Sequence, residues 1–199
     1  MTSTERRIQT LLRRAGTARS RDMVAAGISR SQLSRMVAAG QLMRVARGLY
    51  ALPDFQSGEH GALVAVVKRA PGVVFCLLTA LRIHDLTTQA PFEVWIAIGN
   101  KDHPPRLDYP PLRTMRFSDA ALAAGVETHK VDGVKVRVTS VAKTVADCFK
   151  FRNKIGLDVA LEALREARRA KKASADALWR YAKINRVTNV MRPYLEAVA

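Results

Sequence analysis

What this chain lacks narrows its function first. Its longest apolar runs, Ala62 to Val67 and Val73 to Leu78, are six residues each, far short of the ~20 that a membrane-spanning helix needs. Met1 is followed by Thr2-Ser3-Thr4-Glu5-Arg6-Arg7 with no apolar stretch behind it, so no secretory signal is expected and the expected location is cytoplasmic. The two cysteines, Cys76 and Cys148, sit in apolar contexts. They read as reduced, buried thiols of a cytosolic protein, which excludes a disulfide framework. The four histidines, His60, His84, His103 and His129, are scattered, and neither cysteine has a partner at ligand spacing, so no metal site is expected. No glycine-rich loop precedes a helix, which argues against nucleotide triphosphate use.

Catalysis is equally poorly provided for. His84-Asp85 is a lone acid/base pair with no serine or cysteine in a nucleophile elbow. A nuclease would need clustered carboxylates and a lysine around a strand. Asp85 and Glu93 lie near the best strand, but Val94 and Trp95 follow Glu93 without a lysine. The expectation is a protein that is not an enzyme, with no catalytic residues and no cofactor.

Acidic residues are also scarce, 17 against 33 lysines and arginines, for a net charge of +16. That balance points to a polyanionic partner, most often nucleic acid. Residues 1–53 hold ten arginines, no lysine, and only Glu5 and Asp22 as acids, a net +8. Half of the excess charge thus lies in about a quarter of the chain, all of it arginine, the side chain suited to phosphate forks and guanine edges. With 199 residues and 48% hydrophobic content, the chain has the length for one or two domains and is not disordered.

Apolar spacing predicts a helix over 5–15 (Ile8, Leu11, Leu12), a second from Ser20 as N-cap to Gly27, and a third from Ser29 to Gly40. Ser29 with Gln32 three residues on is a capping box, and Leu33, Met36 and Val37 form the apolar face of the third helix. Two short helices joined by a glycine turn read as a helix-turn-helix. The β-prone runs on either side of Ala46-Arg47-Gly48 read as a hairpin, so residues 1–53 are expected to be a winged helix-turn-helix DNA-binding domain. Pro53 to Gly58 reads as a linker.

Residues 59–199 read as a mixed α/β domain, giving an α/β (α+β) fold overall that ends in a run of helices. The expected elements are a helix over 59–69 burying Leu63, Val64 and Val67, a helix over 77–86, a strand at Phe92 to Ile98, a loop with four prolines from Lys101 to Pro111, a strand at 112–117, a short helix capped by Ser118, and a hairpin from Lys130 to Val138 around Asp132-Gly133. From Thr139 the pattern is helical. Val141, Val145, Cys148 and Phe149 share one face, Leu157, Leu161 and Leu164 the next, and two more helices follow near 174–184 and 187–198.

A recognition helix presents its N-terminal half to base edges in the major groove. The residues in that position are Arg30, Ser31, Gln32, Ser34 and Arg35, with Gln32 ranked lowest because of its capping role. Arg19 and Arg21 are placed to reach phosphates, and the wing arginines Arg44 and Arg47 to enter a minor groove or grip the backbone. A basic run, Arg165, Arg168, Arg169, Lys171 and Lys172, offers a nucleic-acid or partner-binding face. It also fits a helix C-terminus whose cations complement the macrodipole, with Glu162 and Glu166 as partners.

The sequence resembles the AbiEi-type antitoxins, also described as AbiEi-like transcriptional regulators. The resemblance is carried by Arg47-Gly48-Leu49-Tyr50, Leu78 to Leu86, Val94-Trp95-Ile96-Ala97, Val138 to Phe149, Gly156 to Leu164, and Val190 to Leu195. It implies an antitoxin of a type IV toxin–antitoxin pair linked to phage abortive infection. Its functional partner is then a nucleotidyltransferase-like toxin, countered without a stable complex being required. The resemblance further implies repression of the chain's own operon, through the winged helix bound at inverted repeats in the promoter, with antitoxicity linked to the C-terminal domain. The alternative is a stand-alone winged-helix transcriptional regulator whose C-terminal domain senses a ligand or oligomerises.

Overall fold

The computed structural model describes residues 3–15, 17–46, 48–53, 59–89, 91, 93–107, 110–131 and 133–198. Two compact units emerge, Met1–Gly58 and Glu59–Ala199. The linker residues 54–58, together with Arg47, Phe92 and Asp132, lie outside the described residues.

In the first unit the order is α1 (Ser3–Ala15), β1 (Thr17–Arg19), α2 (Ser20–Ala25), α3 (Arg30–Ala38), β2 (Met43–Ala46) and β3 (Leu49–Ala51). Its core joins Ile8 and Leu12 of α1, Met23 of α2, Ile28 of the turn, Leu33 of α3, and Leu42 and Leu52. The hairpin is present, and a third strand joins it: β1 pairs antiparallel with β3 (Ala18 opposite Tyr50), giving the order β1-β3-β2. Three residues are too few for a period-2 pattern, so β1 left no signal in the sequence.

That strand corrects the reading of Ser20 as an N-cap. The cap position is Arg19, still extended, and Ser20 is the first helical residue. Instead of capping, its backbone N–H donates to the Gly48 carbonyl at 2.8 Å, and its hydroxyl donates to the same oxygen at 3.3 Å. Ser20 therefore ties the turn of the wing to the start of α2.

The second unit runs α4 (Glu59–Arg69), β4 (Val74–Phe75), α5 (Leu77–Ile83), β5 (Val94–Gly99), β6 (Leu112–Phe117), α6 (Asp119–Ala123), β7 (Val126–Val131), β8 (Val134–Thr139), α7 (Val141–Lys150), α8 (Arg152–Ile155), α9 (Leu157–Arg169), α10 (Ala175–Ile184) and α11 (Thr188–Ala197). The sheet is mixed, in the order β6-β5-β4-β8-β7. β5 runs parallel to β6, β4 parallel to β8, and the other pairings are antiparallel.

Strand β5 is buried on both faces. Trp95 and Ala97 point into the larger core, which α5, α7, α9, α10 and α11 share. Val94, Ile96 and Ile98 point into a smaller core under α4. Helices on both faces explain why this strand is a continuous apolar run rather than an alternating one. The architecture is α+β.

Several local expectations shift. The helix from Leu77 stops at Ile83, not Leu86, because Asp85 takes a left-handed φ of +52°. β4 is two residues long, too short to stand out from its apolar surroundings. α4 buries Leu63, Val66 and Val67, while Val64 is only half-buried. Ser118 holds the cap position of α6 but makes no side-chain cap bond, and Thr139 closes β8 rather than opening a helix. On α9 the buried stripe is Val159, Ala160, Ala163, Leu164 and Ala167, with Leu157 exposed. Small alanines let α7 and α9 approach closely, so that face outranks the one the leucines define.

Candidate nucleic-acid interface

The helix-turn-helix is built as its spacing requires. Ile28 N–H donates to the Met23 carbonyl at 3.1 Å and Gly27 N–H to Val24 at 2.9 Å. Gly27 sits at φ +90°, a conformation that side-chain-bearing residues rarely adopt. The capping box closes in both directions. The Gln32 N–H donates to Ser29 Oγ at 3.2 Å, and the Ser29 N–H donates to Gln32 Oε1 at 2.8 Å. Ser29 and Ser31 hydroxyls lie 2.8 Å apart, so Ser31 joins the capping cluster.

With Leu33 buried on the inner side, α3 exposes Arg30, Ser31, Ser34 and Arg35, while Gln32 is half-buried. These residues share the outer surface of one helix, and their heads are solvated. Arg21 is exposed and lies 3.5 Å from Asp22. Arg19 is half-buried at the end of β1. Arg44 is exposed on β2, opposite Tyr50 of β3, and Arg47 is outside the described residues. The structure thus brings Arg30, Ser31, Ser34 and Arg35 onto one helix face and sets Arg44 on the neighbouring hairpin.

The basic run at the end of α9 is largely absorbed by local bonds. Arg168 donates to the carbonyls of Val198 and Ala173 at 3.3 and 3.4 Å. Arg169 pairs with Glu166 at 2.5 Å. Lys172 donates to the His84 carbonyl at 2.5 Å and lies 3.9 Å from Asp85. Arg165 and Lys171 remain exposed, with no hydrogen bond or ion pair among the described residues.

His84 is a hydrogen-bonding residue at the end of α5. Its Nε2–H donates to the Thr139 carbonyl at 2.7 Å, and its ring meets that of His129 edge-on at 5.3 Å. Burial lowers its pKa from the ordinary value near 6.5, more than the Thr139 bond raises it. The unfolded chain therefore binds the proton first as pH falls below about 6.5, and stability drops down to the lowered folded value. His84→Gln, which keeps a donor without a titratable ring, is expected to show a smaller loss of melting temperature between neutral and mildly acidic pH than the parent.

The cysteines are both buried, and burial, reinforced by Asp147, pushes both thiols well above their usual range. They are therefore poor nucleophiles. Among the described residues no group of three or more His, Cys, Asp or Glu side chains is placed to hold a metal ion, and no helix is long and apolar enough to cross a membrane.

What sequence reasoning missed is inside α7. Lys143 and Asp147, one helical turn apart, form an ion pair with both side chains 0% exposed. Asn185 Nδ2–H donates to Asp147 Oδ1 at 2.7 Å, and the Lys143 ammonium lies 4.7 Å from the centre of the Phe117 ring. Their i,i+4 spacing was visible, but nothing in the periodicity places two charges in a core.

Comparison with known proteins matches residues 6–53 to a family model described as "Transcriptional regulator, AbiEi antitoxin". The matched segment is the helix-turn-helix with its hairpin. No curated protein matches the chain. A crystal structure of the RV2827C protein from Mycobacterium tuberculosis is similar in fold, with a TM-score of 0.50 and 13% sequence identity over 100% of this chain and 81% of that one.

Proposed function

We propose that the chain is an operator-binding regulator and antitoxin of the AbiEi type. In this reading residues 1–53 form the DNA-binding domain. Arg30 and Arg35 read base edges, Ser31 and Ser34 adjust register, Gln32 contributes least because the capping box holds it, Arg19 and Arg21 reach phosphates, and Arg44 with Arg47 grips the flanking groove. Residues 59–199 form the domain that counters a nucleotidyltransferase-like toxin. The basic run Arg165, Arg168, Arg169, Lys171 and Lys172 then offers its contact surface mainly through Arg165 and Lys171. The protein represses its own operon and performs no catalysis of its own.

The observation that carries this reading is α3, with a closed capping box behind it and two arginines on its solvent face. It lies inside the segment that matches the antitoxin regulator family. Binding to the chain's own promoter fragment and to a scrambled fragment, each at two salt concentrations, tests it. Preference for the promoter with a steep salt dependence is expected. Equal, salt-sensitive binding to both would reduce the +16 charge to generic affinity and defeat the regulatory reading.

One observation favours the alternative of a stand-alone, ligand-sensing regulator. A cleft of about 660 Å³ in the second unit, between β4, β5, β8 and α6, is lined by Val74, Ile98, Leu122, Asp119 and Arg137, a size suited to a small molecule. A toxin gene lying immediately downstream separates the two readings in favour of the antitoxin.

A further inference from the structure

The β7–β8 hairpin carries a cationic face that neither the operator reading nor the basic run on α9 uses. Its register is regular along its whole length: Val131 faces Val134, Lys130 faces Lys135, His129 faces Val136, and Thr128 faces Arg137. Directly opposed residues of an antiparallel pair point to the same side of the sheet, with Cβ atoms about 4.5–5.5 Å apart. Lys130 and Lys135 are therefore neighbours on one face, and Thr128 and Arg137 are the next pair along it. All four are exposed.

Like charges placed directly opposite destabilise a ladder. Neither lysine has an acidic partner among the described residues. The one acid on the two strands, Glu127, belongs to the opposite face, where it lies 3.3 Å from His129. Arg137 is held in place because its Nη1–H donates to the Gly72 carbonyl at 2.9 Å. Three cations thus sit together on one face of the hairpin at the edge of the five-stranded sheet, at a cost to folding, and neither lysine is neutralised by an acid among the described residues.

We propose that this face, Lys130, Lys135 and Arg137 with Thr128 beside them, is a second nucleic-acid contact that grips the phosphate backbone without reading sequence. Phosphates fit these groups: two ammonium point charges and a guanidinium fork are the usual phosphate ligands. The proposal goes beyond the operator reading, in which every contact lies in the first unit.

The test measures how affinity for a mixed-sequence duplex falls with salt, using the full chain. The background carries Arg30→Ala and Arg35→Ala, so that no sequence preference from α3 enters the comparison. Each phosphate contact adds about 0.9 to the slope of log K against log salt. The K130Q/K135Q variant is expected to flatten the slope by about 1.8, so that between about 50 and 200 mM salt it loses about 12-fold less affinity than its parent. K130R/K135R, which keeps both charges, is expected to keep the slope.

An unchanged slope in a K130Q/K135Q protein with parental circular dichroism overturns the proposal. So does a K130R/K135R variant that flattens as much as the glutamines do. Lost solubility at unchanged slope also overturns it, by assigning the lysines to protection of an exposed sheet edge. Failure of the operator reading appears elsewhere, as equal binding of the promoter and the scrambled fragment by the parent chain.

Discussion

Asp147→Ala is expected to lower the unfolding free energy by about 3–5 kcal/mol, the usual cost of breaking a buried ion pair from one side. Urea denaturation followed by circular dichroism reads it. The loss arises because Lys143 stays in the core with no counter-charge. Its ammonium keeps the Phe117 ring, 4.7 Å away, whose attraction for a desolvated cation, about 2 kcal/mol or somewhat more, offsets only part of the cost of a buried charge. Asn185, which joins α10 to α7 through its bond to Asp147 Oδ1, loses its acceptor at the same time.

The pair itself contributes much less than that loss suggests. Burial pushes the Asp147 carboxyl above its usual range, outweighing the attraction and hydrogen bond of Lys143 and the bond from Asn185. Because the folded pKa is raised, the folded state holds the proton more tightly than the unfolded chain does. Ionisation as pH rises through that window therefore works against folding. Asp147 Oδ2 and Asn185 Oδ1 also lack hydrogen-bond partners among the described residues. The double variant Lys143→Met with Asp147→Leu is accordingly expected to recover most of the loss. The stranded Asn185 amide leaves a deficit of about 1–3 kcal/mol. A double variant as unstable as Asp147→Ala alone would show that the loss does not come from the uncompensated lysine.

These two residues also mark where the sequence stopped being legible. Apolar spacing located α7 and its buried residues Val145, Cys148 and Phe149, because a one-sided stripe repeats at the helical period. It could not show that the opposite side, with Lys143 and Asp147, is covered as well, since that depends on Phe117 and Asn185, far away in the chain. The same limit hid β1 and β4, whose two or three residues carry no period. By contrast, the glycine turn of the helix-turn-helix and the Ser29–Gln32 capping box were readable, because turn glycines and caps act within four residues, whereas the role of Ser20 was not, because its partner, Gly48, is far away in the chain. The β7–β8 cations lay between these extremes. An Asp-Gly turn fixes the register, so Lys130 opposite Lys135 follows from the sequence once the turn is accepted. The pairing stands out only when exposure and the absence of acids on that face among the described residues are seen together.

Removing Arg30 and removing Arg44 are expected to weaken DNA binding in different ways, and the contrast tests the geometry of the first unit. Arg30 opens α3 on its exposed side, and in the proposed reading its guanidinium enters the major groove and meets guanine acceptors in two parallel bonds. Arg30→Ala should cost about 1–3 kcal/mol on the promoter and relax specificity, leaving random DNA bound nearly as before. Arg44 stands on the hairpin, and in the proposed reading its guanidinium meets phosphate oxygens that are the same in every sequence. Arg44→Ala should therefore weaken promoter and random DNA alike and lower the salt slope by about one. Neither arginine contributes to the core of Ile8, Leu12, Met23, Ile28 and Leu33, so both variants should melt as the parent does. Equal loss on promoter and random DNA for Arg30→Ala would take base reading away from that residue. The expected split would fix α3 as the element that chooses the sequence and the hairpin as the element that holds it.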